Sequence, residues 1–532
     1  MQVQVALKLL PSEAADEAIL LERLALAARR PVADLTGYRL VKRSIDARKT
    51  PVYINLLADI FIGETPPIPI FPPYQFPHPA REAKRIVIIG AGPAGLFAAL
   101  RLLQMGLKPI ILERGKDVRA RRRDLAALNK EGKLNPESNY CFGEGGAGTY
   151  SDGKLYTRSS KRGDIKRILQ LFVQFGAPEN ILFDAHPHIG TNKLPQIITA
   201  MREMIIQSGG EIFFEKKMTG MVINNGLVSA IQTADGDSIP ADACILATGH
   251  SAHDVYELLH NQGIAIEAKP FALGVRVEHP QALIDRIQYH AASKPPFLPP
   301  AAYSLVQQVD DRGVFSFCMC PGGIIAPAST DEGQLVVNGW SPSKRDNPFA
   351  NSGMVVQIDT PDALPVLQAY QKANGMQLSA ADDPLHLLHF QAMVERQAFT
   401  AGGGLYKAPA QRMADFTNRQ LSSSLPANSY LPGLHAAPLE EVLPPFVHHS
   451  LAQAFRAFGK MRKGFFTNEA NVVATESRTS SPVRIPRNRE TFAHPQISNL
   501  YPCAEGAGYA GGIVSAAMDG EAIAVVIAKT FA

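Results

Sequence analysis

The sequence predicts an α/β protein: a Rossmann-like nucleotide-binding domain, interrupted by an inserted α+β domain and preceded by a small ferredoxin-like α/β unit. Three observations predict it. Over residues 85–115, "RIVIIGAGPAGLFAALRLLQMGLKPIILERG", a strand, a glycine turn, a helix and a second strand follow one another without a gap. A related segment, "ISNLYPCAEGAGYAGGIVSAAMDGEAIAVVIAK" at 497–529, lies far downstream with its own strand, glycine turn and apolar helix. Residues 1–64 read as strand, helix, strand, strand before a proline-rich stretch.

The chain has 532 residues, more than one ordinary domain holds. With 46% hydrophobic and 19% charged residues its composition is globular, and a net charge of +4 over this length points to surface scatter rather than an acidic partner. There is no apolar run of about 18 residues, so no membrane-spanning helix is expected. The start, "MQVQVALKLLPSEAADE", lacks the basic and apolar regions of a signal peptide, and a cytoplasmic location is expected. The cysteines number five, which argues against a disulfide framework.

In residues 1–64, "QVQVALKLL" alternates as a strand and "SEAADEAILLERLALAARR" has helical apolar spacing after a Ser cap. "YRLVKRSIDAR" and "PVYINLLADIFI" then read as strands, the first a basic strand carrying Arg39, Lys42, Arg43, Arg48 and Lys49. This basic strand is either a charged exposed edge or a nucleic-acid contact. Residues 65–84, rich in proline, form an extended, semi-rigid linker.

Residues 85–264 open with the most informative segment. An apolar strand runs into Gly90, Gly92, Pro93, Ala94 and Gly95 at the head of a helix. The first glycine permits the turn, the second lets backbone N–H groups approach a pyrophosphate, and the third lets helix and strand pack closely. The helix N-terminus adds partial positive charge. Glu113 ends the second strand, placed to accept hydrogen bonds from a ribose; its charge repels a 2′-phosphate, which excludes NADP. Arg114, Arg119 and Arg122 follow, either for the phosphates or on a solvated helix face.

The C-terminal segment resembles the second FAD signature of the glutathione-reductase-like fold. There an acidic residue, here Glu505 before Gly506, holds the ribityl and phosphate region, and the helix after Gly512 and Ile513 points its positive end at the flavin ring. That signature more usually has Asp. "DACILATGHSAHDVYELL" resembles the strand that ends near the cofactor, with Thr248 and Gly249, and a strand at Met218 is expected to bring backbone against the adenine. Four segments in this order favour FAD over NAD. A further G-x-G-x-x-G, "GEGGAG", follows no apolar strand and precedes no apolar helix, so it is expected to be a loop of the one FAD site, through Gly145, Gly146 and Gly148. No separate NAD(P)H domain is expected, and NAD(P)H is at most a transient donor.

Residues 265–420 are expected to form the inserted substrate domain, with residues 421–532 returning to the FAD domain. "FSFCMCPGG" puts Cys318 and Cys320 on one face of a strand, either as a thiol pair beside the flavin or as buried packing; Cys141 in "YCFGEGG" reads as packing. "ERQAFTAGGGLYKAPAQR", with Arg396, Lys407 and Arg412, suits an anion or a charged surface. "ATESRTSSPVRIPR" sets Glu476, Arg478 and Arg484 in a polar loop expected to line an active site. His448 and His449 alternate badly for metal ligation and lack a carboxylate partner, while His186 and His188, spaced for one strand face, read as a loop, so no metal site is expected.

With these residues in view, nearly the whole chain resembles the bacterial family of FAD-dependent dehydrogenases also found in plastid-bearing organisms. The resemblance is carried by "IDARKTPVYINL", "GEGGAGTYSDGKL", "FSFCMCPGG", "VERQAF", "GGGLYKAPAQRMADF", "TESRTSSPVRIPR" and "YPCAEGAGYAGGIVSAAMDG". It implies an FAD fold with an inserted substrate domain and a ferredoxin-like N-terminal domain, and no particular substrate. The function expected is an FAD-dependent oxidoreductase passing a hydride or electron pair between flavin and a small organic substrate, with Cys318, Cys320 and Arg478 as catalytic candidates. A flavin monooxygenase and an FAD-dependent RNA-binding or RNA-modifying protein remain as alternatives.

Overall fold

The computed structural model describes residues 1–157 and 163–532. Its N-terminal unit runs β1 (Gln2–Leu9), α1 (Pro11–Ala15), α2 (Glu17–Ala28), β2 (Leu35–Asp46) and β3 (Tyr53–Ile62), an antiparallel sheet in the order β1-β3-β2. Strand β3 is central because its alternate residues are apolar: Ile54, Leu56, Ala58 and Ile60 are buried in one cluster with Leu20 and Leu24 of α2. A single helix after a Ser cap was the expectation. Two form instead, because the Asp16 carboxylate accepts the Ala18 and Ile19 N–H groups and starts a second helix.

The basic strand β2 is partly used within the chain. Arg43 exchanges backbone hydrogen bonds with Phe183 and Ala185, and its guanidinium pairs with Asp184 at 2.7 and 3.0 Å. Arg39 donates to the Pro67 carbonyl at 2.6 Å. The proline-rich linker is extended and held down: Tyr74 bonds Gln174 through its N–H (2.8 Å) and Gln170 through its hydroxyl (2.7 Å).

The chain then forms β4 (Arg85–Ile89), α3 (Pro93–Gln104), β5 (Lys108–Leu112), α4 (Val118–Glu131), α5 (Ile165–Gln174), α6 (Leu194–Gln207) and β6 (Glu211–Phe213). An antiparallel trio, β7 (Met218–Asn224), β8 (Leu227–Thr233) and β9 (Ser238–Pro240), precedes β10 (Ala243–Leu246) and α7 (His253–Asn261). Strand β11 (Glu267–Ala268) leads into the second domain, which contains β12 (Phe271–Pro280), α8 (Gln281–Tyr289), β13 (Val306–Val309), β14 (Arg312–Cys320), β15 (Ile324–Pro327), β16 (Val337–Trp340) and β17 (Phe349–Ile358). It continues through α9 (Thr360–Ala373), α10 (His386–Ala401), β18 (Ala408–Arg412), α11 (Met413–Asn418), β19 (Leu434–Ala436), α12 (Pro445–Met461) and β20 (Asn471–Glu476). Strand β21 (Val483–Arg484) pairs with β11 on the way back to β22 (Leu500–Pro502) and α13 (Ile513–Phe531).

The second domain is built on a seven-stranded mixed sheet, β13-β14-β17-β12-β20-β18-β19. It therefore runs well past residue 420, where the sequence suggested a return to the first domain. The reason is β20: every residue in it is buried, and it inserts between β12 and β18 by antiparallel pairing. The first domain is a parallel sheet in the order β22-β10-β4-β5-β6. One apolar cluster holds residues of α3, α5, α6 and α13; another, on the opposite side of the strands, holds residues of β7, β8 and α7. Among the described residues no helix is long and apolar enough to cross a membrane.

Helices α3 and α13 pack side by side with no side chain between them at one point. A Cβ on Gly520 would stand 2.2 Å from the Ala94 carbonyl oxygen. Gly520→Val is therefore expected to lower the unfolding free energy by about 2 kcal/mol, measured as a reduced urea midpoint at unchanged slope; an unchanged midpoint contradicts this close approach.

Candidate functional site

The carboxyl ends of β4, β10 and β22 open onto one crevice. At its centre Gly90 turns the chain from β4 into α3 with φ of 108°, where a side chain would strike the Ala247 carbonyl, and Gly95 packs its Cα face onto the Gly90 carbonyl. Gly92 caps α3 and Gly512 caps α13, and neither helix has a side chain bonded to its first turn. The two N-termini meet: a Cβ on Gly148 would lie 3.4 Å from both Pro93 and Ile513, the first residues of α3 and α13. Two sets of free backbone N–H groups and two positive helix ends thus converge under one glycine loop. The "GEGGAG" loop itself contains only a short 3₁₀ turn, Gly146–Gly148, and no strand or helix flanks it directly. It is a covering loop of this crevice and not a second dinucleotide turn.

The loop is fixed by two residues. Glu113, only 4% exposed, accepts the Ala91 N–H through Oε2 and the Gly115 and Gly143 N–H groups through Oε1, each at 2.9 Å. One carboxylate so joins the first glycine turn to the second loop. From the other side the fully buried Arg121 donates to the carbonyls of Asn139 (2.8 Å), Tyr140 (3.0 Å) and Glu144 (2.8 Å).

Sequence reasoning selected Arg122 and passed over Arg121. Arg119 and Arg122 lie on the exposed side of α4, whereas Arg121 falls on its buried face with Val118, Leu125 and Leu128. The helical spacing of those apolar residues is the signal that could have found it. Arg114 turns to protein carboxylates, Glu137 at 2.7 Å and Asp254 at 2.8 Å, and stacks on Phe142. Met218, Phe142, Ile89 and Leu112 share one apolar cluster beyond the end of β5.

On the far side of the crevice, Gly506 lies against the backbone of Gly249, and a Cβ on it would come within 3.0 Å of Thr248 Oγ1. That hydroxyl is buried with no hydrogen-bond partner. Tyr256 Oη donates to the Gly506 carbonyl at 2.8 Å, and the Glu505 carboxylate accepts the Ser481 N–H at 2.9 Å while lying beside Gly511. A pyrophosphate-bearing dinucleotide suits this crevice on two counts: two helix N-termini without side-chain caps and an unpartnered hydroxyl at Thr248.

Next to the crevice is a narrow pocket of about 30 Å³ at the junction of the two domains. Cys141, Ala147, Tyr150 and His250 form the first-domain wall; Ala328, Asn338 and Trp340 face them from the second, with Arg478 beside them. Burial, with the Arg478 charge in addition, pushes the His250 imidazole down to about 4, so it is neutral at neutral pH. Its Nδ1 lies 2.8 Å from Ser251 Oγ, which is 3.4 Å from Cys141 Sγ. Burial raises the Cys141 thiol, keeping it protonated as it donates to the Ala328 carbonyl. Arg478 is held by both Glu395 oxygens (3.0 and 2.8 Å) and by Thr330 Oγ1 (2.6 Å), all buried.

The other sequence candidates separate. Glu476 is buried against Arg276, while Arg484 is exposed. Arg396 and Lys407 are exposed, and Arg412 bonds Ser424 and the Asn468 carbonyl. His186 is exposed, His188 meets the Ser343 carbonyl, His448 the Phe416 carbonyl and His449 the Asp310 carboxylate. Cys318 and Cys320 do not share a strand face: β14 has a bulge between Phe317 and Cys320, with Cys318 at φ of 47°.

The chain is similar to several known proteins. Residues 270–479, most of the second domain, match the family described as "FAD-dependent protein, C-terminal domain-like", and residues 1–61 match a domain of unknown function. The chain as a whole has an α/β fold. It belongs to the same family as an uncharacterized protein of Clostridium beijerinckii, to which it is 38% identical over 516 residues, 94% of this chain and 93% of that one. Among solved structures it is similar to the halogenase PltM (10% identity, TM-score 0.39, covering 84% of this chain and 68% of that one). It is also similar to a geranylgeranyl bacteriochlorophyll reductase-like protein from Thermoplasma acidophilum (11%, TM-score 0.36, 85% and 79%) and to CtdE in complex with FAD (10%, TM-score 0.31, 84% and 84%).

Arg121 gives the direct test of the loop. Arg121→Met leaves three buried carbonyls without a donor, and FAD retention through gel filtration is expected to fall at least about tenfold while the sheet core stays folded; retention equal to wild type contradicts this role.

Proposed function

We propose that this protein is an FAD-dependent oxidoreductase in which the flavin exchanges a hydride or electron pair with a small organic molecule that approaches it at the narrow pocket between the domains. The observation that supports this reading is the convergence of α3 and α13 at Gly148 immediately beside that cavity, whose wall includes Ala147 of the same loop. Bound flavin supplies the two-electron chemistry. The protein supplies everything that positions it.

The helix ends stabilise negative charge at the crevice, α3 toward the phosphates and α13 toward the ring end. Glu113 and Arg121 hold the glycine loop over it and exclude water. In the cavity, neutral His250 accepts or returns a proton at its ring while Ser251 Oγ fixes Nδ1. The Glu395–Arg478 pair sets a rigid polar floor, and Tyr140, Tyr150 and Trp340 give an aromatic enclosure suited to a planar or unsaturated substrate.

The test is an anaerobic reductant series, NADH, NADPH and small organic hydride donors, followed by oxidised-flavin absorbance. At least one organic reductant is expected to bleach the flavin. Ala328→Leu, which narrows the cavity, is expected to slow that bleaching about tenfold or more with FAD content unchanged. Bleaching by dithionite alone, or an undiminished rate in the variant, contradicts the proposal.

A further inference from the structure

The Cys-Met-Cys segment at the end of β14 is cradled by two cations from different parts of the chain. Arg276, fully buried on β12, donates from Nη2 to the Cys318 carbonyl at 2.7 Å and to Cys320 Sγ at 3.6 Å. Lys154, arriving from the glycine-loop segment, donates from Nζ to the carbonyl of Met319, between the two cysteines. Cys320 is buried and donates its thiol to the Cys318 carbonyl at 3.2 Å, while Cys318 is partly exposed. In a straight strand the Cα atoms of such a pair stand about 7 Å apart, just outside disulfide range. The bulge and the left-handed backbone at Cys318 interrupt that straight run between the two.

The charges around Cys318 favour its thiolate. The Cys320 thiol hydrogen bond lowers its affinity for a proton most, followed by the Lys154 and Arg276 charges, against opposition from burial and from Asp152. Glu476 also faces it, but burial pushes that carboxyl up to about 7, so its opposing charge is incomplete. Cys320 moves the other way and stays a thiol, held there by burial and by the neighbouring sulfur. An ionised sulfur two residues from a protonated one forms a nucleophile and its resolving partner.

We propose that Cys318 and Cys320 form a thiol–disulfide exchange site for low-molecular-weight disulfides, Cys318 attacking and Cys320 resolving. The Cys318 thiolate forms a bond to one sulfur of the disulfide, whose S–S bond breaks and releases one thiolate. Cys320 then gives up its proton to that leaving thiolate, attacks Cys318 Sγ and expels the second thiolate. The cysteine pair is oxidised by two electrons to an internal disulfide, and the substrate disulfide is reduced to two thiols. The site is distinct from the cavity, yet touches its wall: Arg276 Nη1 donates to Asn338 Oδ1 at 3.2 Å, and Asn338 lines the cavity.

The experiment mixes the reduced full-length protein, as purified with its cofactor, with the chromogenic disulfide dithiobis-nitrobenzoate, and maps adducts by peptide mass. Wild type is expected to release two equivalents of thiolate in a fast phase, lose two hydrogens and keep no adduct. Cys320→Ser is expected to release one equivalent and retain a stable adduct on Cys318. In Cys318→Ser the fast phase is expected to slow at least about tenfold, because an ordinary thiol is only a few per cent ionised at neutral pH. Lys154→Met is expected to shift the pH midpoint of the fast phase upward. A fast phase that persists in Cys318→Ser, an adduct on Cys141, or a wild-type adduct that never resolves overturns the proposal; if Cys318→Ser fails to fold, the adduct position in Cys320→Ser decides.

Discussion

The arrangement depends on how closely α3 and α13 cross. Their contact is glycine against backbone, Gly520 on the Ala94 carbonyl, and that lets two helices from opposite ends of the domain start at one point. Sheet order does the rest. With β10 between β4 and β22, the strands preceding both helices run parallel and end on the same edge, where open α/β sheets bind ligands. A larger residue at 520 would separate the helices, and Gly148 would no longer bridge Pro93 and Ile513.

The buried ions around this point are balanced within the protein. Glu395 takes Arg478, Glu476 takes Arg276, and Glu137 with Asp254 takes Arg114. Such pairs add little net stability once desolvation is counted, but each one fixes the direction of a wall. Arg478 ties α10 to the segment after β20, and Arg276 ties β12 to β16, β17 and β20. What the pairs leave is the positive potential of two helix ends beneath the glycine loop. The second domain contributes a rigid, largely apolar face to that potential, and the two-stranded β11–β21 connection carries the chain out and back.

Much of this was legible in the sequence because it depends on local patterns. The 85–115 segment shows its strand, turn and helix directly, and the failure of "GEGGAG" to follow an apolar strand correctly marks it as a loop. Asp16 carries a signal of its own, a capping residue inside a helical pattern, which apolar spacing alone does not show. Long-range pairing was not legible: nothing local in "NVVATE" says that β20 inserts between β12 and β18, so the second domain read as ending too early. The same holds for Arg478 meeting Glu395, which is far away in sequence. The bulge at Cys318 was invisible because strand alternation predicts the opposite geometry for a Cys-x-Cys pair.

The central claim is that the dinucleotide lies under the glycine loop at the joined starts of α3 and α13. Amide hydrogen exchange of the apoprotein with and without added FAD tests it most directly. The account predicts strong protection in three separated segments, 90–97, 143–150 and 511–517, with the N-terminal unit and the outer strands β13 and β19 unchanged. Protection absent from the 511–517 segment, or spread over the outer strands instead, would contradict it.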